Sequence, residues 1–229
     1  MKNVVGIDEA AKMPVLGAIP VCGVWIDNTN RMNPIKLRDS KILSKKRREE
    51  LSNLIYSKYF VVIGKITPIE MNKTKASLNE LEVLKCLQII NLVLQRNPLE
   101  NIVVDNFEHD KEGFLRKLRK YRDENWINQF NWIIVHNADK KFKVCSAASI
   151  VATNCNDKAQ QELDKIYGTG SGNPGDEKTE KFIYDRINEL DNWDHIIRLR
   201  WKTIERVRQE HLDREDVKNG RETKSGVIF

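Results

Sequence analysis

The sequence predicts an α/β protein in which a central mixed β-sheet is flanked by helices and followed by a helical C-terminal extension. Three observations predict it. Short apolar runs rich in branched residues come first and mix with helical stretches. The C-terminal third carries only helical patterns, interrupted by one glycine-rich loop. Finally, 229 residues that are 40% hydrophobic and 31% charged give room for one domain, or at most two small ones, with a sizeable core. This composition excludes collagen-like, low-complexity and mainly disordered chains.

The elements follow in order. Residues 4–7 form a short apolar strand, and 15–26 (VLGAIPVCGVWI) form a longer one rich in branched and aromatic side chains. Asn28-Thr29-Asn30 and Asn33-Pro34 mark a turn, after which Ser44 reads as the N-cap of a helix carrying Leu51, Leu54 and Ile55 behind a charged face. Residues 59–66 are a third strand. Helical spacing of Leu78, Leu81, Leu84, Cys86, Leu87, Ile90 and Val93 predicts a helix over 78–94. After Asn97-Pro98, residues 102–104 make a buried-type strand ending in Asp105. A basic helix over 114–122 precedes a strand over 132–135, and the chain turns helical beyond Asp139. A loop at 168–174 and helices over 178–190 and 196–210 complete the pattern. Residues 1–211 are expected to be the working domain and 212–229 a polar tail with an apolar end, Val227-Ile228-Phe229.

Thirty-nine Lys and Arg against 33 Asp and Glu give a net charge of +6, a mild hint of a polyanionic partner. No stretch approaches the roughly 18 uninterrupted apolar residues of a membrane helix, and Asp8 falls where a signal peptide would continue its apolar region. Cys22, Cys86, Cys145 and Cys155 lack C-x-x-C spacing, so free thiols in a reducing compartment are expected rather than zinc or disulfides. A cytoplasmic protein with no membrane contact follows as the expectation. The four histidines form no ligand spacing with one another or with the cysteines.

Few of the many carboxylates sit at the ends of buried strands. Asp8 and Glu9 close the first, Asp105 closes 102–104, and Asp139 follows 132–135 after a short linker. Strand ends aim side chains at the crevice where ligands bind in α/β folds. Acids converging there repel one another unless a cation stands between them. Magnesium suits such a place, because it takes oxygen ligands and keeps waters and substrate phosphates in its shell. A pair of such ions can activate a water and stabilise the leaving oxygen of a phosphodiester. Each acid alone fits a helix cap or a turn equally well.

The order of short motifs resolves this. V-G-I-D-E-A at 5–10 with P-V-L-G at 14–17 resembles the opening of type 2 ribonuclease H (ribonuclease HII) in its archaeal and eukaryotic branch. Asp39-Ser40-Lys41, Leu78-Asn79-Glu80-Leu81-Glu82 and Val104-Asp105 follow in family order. Then come Ala138-Asp139, Val144 with Ser146-Ala147-Ala148-Ser149-Ile150 and Ala152, Gly170-Ser171-Gly172 with Pro174 and Asp176, and Arg198 with Trp201-Lys202-Thr203. The resemblance implies an RNase H-like fold and Mg2+- or Mn2+-dependent cleavage of the RNA strand of RNA/DNA hybrids, leaving 5′-phosphate and 3′-hydroxyl ends. It places the catalytic, metal-binding acids on Asp8, Glu9, Asp105 and Asp139.

It also implies substrate contacts, and there the sequence departs from the family. The usual Gly-Arg-Gly, which approaches the 2′-hydroxyl at an RNA–DNA junction, is Ala11-Lys12-Met13, and the tyrosine that stacks on the junction deoxyribose is Asn173. Thr153 stands where a lysine is usual. Alanine and methionine restrict the dihedrals that glycine permits, and lysine lacks the bidentate fork of arginine. Hydrolysis with weakened reading of single ribonucleotides is therefore expected. Ser40, Lys41, Ser146, Arg198 and Lys202 complete the expected substrate contacts, with the cluster Lys140-Lys141-Lys143 beside Asp139 facing phosphates. The partners expected are an RNA/DNA hybrid or ribonucleotide-containing duplex. The chain is expected to work as a monomer, and Gly226-Val227-Ile228-Phe229 only loosely resembles a sliding-clamp tail. A hybrid-binding protein with little cleavage and a metal-dependent DNA nuclease are the competing readings.

Overall fold

The structure is a computed structural model that describes residues 1–32, 37 and 42–218. Its sheet has five strands: β1 (Lys2–Glu9), β2 (Ile19–Asn28), β3 (Phe60–Ile66), β4 (Asn101–Asp105) and β5 (Asn131–Val135), in the order β3-β2-β1-β4-β5. β1, β2 and β3 form an antiparallel meander, and β4 and β5 add to β1 in parallel. The sheet is mixed, as expected.

Nine helices among the described residues surround or follow these strands. They are α1 (Lys45–Lys58), α2 (Pro68–Lys73), α3 (Leu78–Leu94), α4 (Lys111–Leu118), α5 (Glu124–Ile127), α6 (Ala138–Lys141), α7 (Lys143–Tyr167), α8 (Glu177–Tyr184) and α9 (Lys202–Lys218). Ser44 caps α1 by accepting the Arg47 N–H, and Ser77 caps α3 by accepting that of Glu80. α3 spans the residues its periodicity predicts.

Two compact units divide the chain. The first comprises Met1–Lys12, Ala18–Ile66 and Lys75–Lys158 and holds the sheet. One face of that sheet receives α3, because Gly23 leaves room for Ile89; a Cβ there would meet its side chain at 2.3 Å. The other face receives the start of α7, and Val4, Cys22, Val24, Ile26 and Val103 share a buried cluster with Val144, Ala148 and Val151. Gly6 sets this approach: a Cβ built on it would lie 2.5 Å from the Val144 carbonyl carbon and 2.6 Å from the Cys145 nitrogen.

The second unit comprises Met13–Gly17, Thr67–Thr74 and the chain from Ala159. Its core gathers Val15, Leu16, Phe182, Ile183, Leu190, Ile196, Ile197, Ile204 and Val207. Here the structure corrects the expected strand over 15–26. Val15 and Leu16 leave the sheet, Gly17 turns the chain at φ 78°, and β2 begins only at Ile19. The Val15 N–H donates to the Gly172 carbonyl (2.7 Å) and the Gly17 N–H to that of Ile196 (2.8 Å), so this apolar run is spent on another core. The helix expected over 178–190 ends at Tyr184 and gives way to a 3-10 turn, Ile187–Trp193. The helix expected over 196–210 starts only at Lys202, because Ile197 bridges to Leu16. α2 was not anticipated, although Thr67 and Glu70 form a full capping box around it.

Gly6→Ala should destabilise the first unit by about 1–3 kcal/mol, since backbone and not a flexible side chain blocks the added methyl. Denaturant unfolding measures this, and an unchanged midpoint would contradict the close approach of α7 to β1.

Candidate metal centre

Strand pairing builds the centre. In the parallel register Gly6 stands opposite Val103 and Ile7 opposite Val104, so the next residues, Asp8 and Asp105, leave the sheet side by side. Alternation along each strand points both toward the face covered by α7. β5 runs beside β4 and delivers the chain to Asn137, whose left-handed conformation (φ 55°) turns it into α6. Asp139 lies in the first turn of that helix. One carboxylate oxygen from each of Asp8, Asp105 and Asp139 lies within 4.8 Å of the others.

The surroundings fix these carboxylates. Asp8 is 5% exposed, accepts the Glu9 N–H at 2.8 Å and is hydrogen-bonded to the Ser149 side chain. Asp105 Oδ1 accepts the Ala138 N–H at 3.1 Å. The Cys145 thiol donates to the Ile7 carbonyl, pinning α7 against the strand end. Burial, then the charges of Glu9 and Asp105, hold the Asp8 carboxyl well above the usual carboxylate range. Burial also raises Asp105, with Asp139 and Glu9 adding to the rise and the Ala138 N–H opposing it. Three carboxylate oxygens gathered this closely, with Asp8 and Asp105 both raised, are what a hard divalent cation requires. The residues fit such an ion.

Glu9 is not part of this group of three. Its Oε1 lies 2.8 Å from the Lys12 ammonium, which is also 3.0 Å from Oε1 of Glu82 and 5.0 Å from the centre of the Phe107 ring. Glu82 is wholly buried on α3, and burial, then Glu9, push its carboxyl up to about 8 while Lys12 opposes the rise. For Lys12 burial acts downward, but Glu9 and Glu82 outweigh it and leave the ammonium raised.

The remaining expected residues fall as follows. Ala11 is half-buried with φ 66°, so it retains a conformation that glycine favours, at a strain of about 1–2 kcal/mol. Met13 is 74% exposed. Asn173 is exposed, its side-chain amide donating to Ser171 Oγ, in a loop where Gly168, Gly170, Gly172 and Gly175 all take positive φ. The bond from Val15 to Gly172 ties this loop to the segment that begins at Met13. Ser146 is buried near the start of α7, and Lys202 is exposed at the start of α9. Lys140, Lys141 and Lys143 are exposed around Asp139. Ser40, Lys41 and the apolar C-terminal end lie outside the described residues.

Arg198 requires correction. It is 0% exposed, its Nε donates to the Gly17 carbonyl and its N–H to that of Val15, and burial lowers its pKa to about 9. It positions the Met13–Gly17 segment rather than presenting a cation to a phosphate. Sequence reasoning quoted Ser149 and Glu82 within motifs and gave neither a role. Ser149 lies one helical turn beyond Ser146 in the same motif, and Glu82 is an acid on the apolar stripe of α3, one turn before Cys86.

Comparison with known proteins places this geometry in a family. Residues 5–204 match the family described as Ribonuclease HII. A curated ribonuclease HII of Methanococcus maripaludis is 34% identical over 215 residues, 91% of this chain and 87% of that relative. The fold is similar to the crystal structure of ribonuclease H2 from Pyrococcus horikoshii, with a TM-score of 0.76, 28% identity and coverage of 92% of this chain and 99% of that one. It is also similar to ribonuclease HII in the PCNA complex from Archaeoglobus fulgidus, with a TM-score of 0.74, 30% identity and the same coverage.

The raised carboxyls make a stability prediction for the metal-free protein. In the folded state Asp8 keeps its proton at pH values where the unfolded chain, at its ordinary 3.8, has lost it. The native state then binds more protons, and stability falls as pH rises above about 4. In chelator, Asp8→Asn should gain stability over the parent progressively as pH rises above about 4, read as denaturant midpoints. A gap that stays flat with pH would remove the case for a strained carboxylate cluster.

Proposed function

The chain belongs to the ribonuclease HII family, a group of type 2 ribonuclease H hydrolases, and from that premise we propose that it hydrolyses the RNA strand of RNA/DNA hybrids by two-metal catalysis, leaving 5′-phosphate and 3′-hydroxyl ends. The observation that carries this reading is the convergence of Asp8, Asp105 and Asp139 at adjacent strand ends. Mg2+ or Mn2+ is the cofactor of the proposal, and Glu9 is its fourth acid. When bound, such ions supply an activated water and stabilise the leaving oxygen.

The protein's own residues orient and hold. Ser149, the Glu9 N–H and the Ala138 N–H fix the carboxylate oxygens before substrate arrives, so little reorganisation remains at the reaction itself. Lys140, Lys141 and Lys143 offer phosphate contacts beside Asp139, and Lys202, Ser40, Lys41 and Ser146 extend the proposed substrate contacts. Residues 1–211 are proposed as the catalytic domain, acting as a single chain inside the cell. The Archaeoglobus fulgidus relative was solved as a complex with PCNA; in this chain the segment from Gly226 to Phe229 is the one a clamp contact would use.

Asp105→Asn removes a charged oxygen ligand and should lower cleavage by about a thousandfold or more while hybrid binding persists, because several kcal/mol of charge stabilisation disappear. Near-normal turnover would sink the mechanism. Cleavage by the parent protein of a uniform hybrid, of a duplex with one ribonucleotide and of all-DNA duplex separates the readings. Binding without cutting would favour the hybrid-binding protein, and cutting of the all-DNA duplex the DNA nuclease.

Junction reading should be weakened. Lys12 and Met13 replace Arg and Gly, and Asn173 has no ring to stack. Each lost contact is worth ~1–3 kcal/mol, so a lone ribonucleotide should be cut about a hundredfold less well than a uniform hybrid under the same metal and salt. Combining Ala11→Gly, Lys12→Arg, Met13→Gly and Asn173→Tyr should raise single-ribonucleotide cleavage selectively. Equal cutting of both substrates by the unmodified protein would show that the backbone of 11–13, already held at φ 66° by Ala11, suffices.

A further inference from the structure

Lys12 stands between the metal centre and a buried acid that plays no part in it. Its ammonium reaches Glu9 Oε1 at 2.8 Å and Glu82 Oε1 at 3.0 Å, under the Phe107 ring. Glu82 is 0% exposed, and its Oε2 has no hydrogen-bond partner, so in its ionised form it has the Lys12 ammonium as its compensating charge. The other acid in this region, Glu108, is claimed by Lys117 at 2.7 Å. An isolated buried carboxylate holds a cation strongly, which keeps Lys12 in place and leaves the same ammonium on Glu9. Glu9 meanwhile is the one expected ligand outside the three-aspartate group.

We propose that Lys12, anchored by Glu82, is a tethered cation that holds the Glu9 carboxylate and must yield it before Glu9 can serve a divalent ion. The pair Lys12–Glu82 thereby sets the divalent-ion concentration at which the weaker metal position fills. The proposal rests on the metal-centre reading above and deepens it. It gives Lys12 a positioning role through Glu9 in place of a contact with substrate.

Mn2+ binding to the full chain without substrate, followed by the paramagnetic signal of free Mn2+, tests it. Lys12→Gln removes the competing charge and should tighten the weaker Mn2+ position about tenfold, the scale on which one opposite charge within ~4–6 Å changes the affinity of a carboxylate for a proton. Lys12→Arg keeps the charge and should stay near the parent. Glu82→Gln frees the ammonium to pair with Glu9 alone and should loosen the weaker position. Opposite signs for Lys12→Gln and Glu82→Gln distinguish competition from general damage, which moves both the same way. The double variant with Lys12→Gln and Glu82→Gln leaves no unpaired buried charge and should again bind more tightly. Unchanged Mn2+ affinity in Lys12→Gln and in the double variant would overturn the proposal. So would a loss of hybrid binding in Ca2+ without any Mn2+ shift, because that result belongs to a phosphate contact. Asp105→Asn separates the two levels: if it binds Mn2+ like the parent, the metal-centre reading falls and takes this proposal with it. If Asp105→Asn loses binding while Lys12→Gln matches the parent, only the proposal for Lys12 falls.

Discussion

Because Ile7 pairs with Val104 in parallel strands, the backbone has no way to fold this sheet without setting Asp8 beside Asp105, and much of the first unit serves to tolerate that proximity. Burial raises both carboxyls, and neighbouring charges add to the rise, Glu9 and Asp105 on Asp8, Asp139 and Glu9 on Asp105. The helix that covers them is placed by a glycine: Gly6 leaves room for the backbone of Val144 and Cys145, which brings Ser149 within reach of Asp8. Relief is local and polar, from Ser149 and the Glu9 N–H on Asp8 and from the Ala138 N–H on Asp105. A site held in this way is stabilised most by what it binds, since any cation that binds only the folded state adds to its stability.

The same constraint explains why the acids were readable in the sequence and their supports were not. An Asp at the end of an apolar run is visible because strand termini are marked by composition, and Asp8 and Asp105 close β1 and β4. The α3 helix was legible for a similar reason, its apolar period being strong from Leu78 to Leu94. Ser149 was obscured by its setting, one of two serines among alanines in a buried helix. Glu82 closes a motif that the sequence shows, but its burial comes from packing, and no local signal separates it from the half-buried Glu80 two residues before.

Where element prediction failed, tertiary contacts outweighed local pattern. Residues 15–18 have strand character by composition, and nothing in the sequence nearby says that Val15 and Leu16 will join Ile197 and Ile204 in another core. Their partners lie well over a hundred residues away. The six residues before α9 suffer the same fate: Ile196 and Ile197 fit a helical period, yet Ile196 accepts the Gly17 N–H and Ile197 bridges to Leu16. Arg198 follows from this. An arginine beside Trp201 in a basic run reads as a phosphate contact, but its place next to the bridge buries it against the Gly17 carbonyl.

Ala11 and Lys12 then show two outcomes of substitution in one short segment. Alanine at this positive φ takes a conformation that glycine favours and adds strain in doing so. Lysine at the next position changes the chemistry instead. Its compact ammonium sits between two carboxylates at 2.8 and 3.0 Å, in a pocket roofed by an aromatic ring. Without the lysine, the buried acid on α3 would be an uncompensated charge beside a site that already concentrates negative charge.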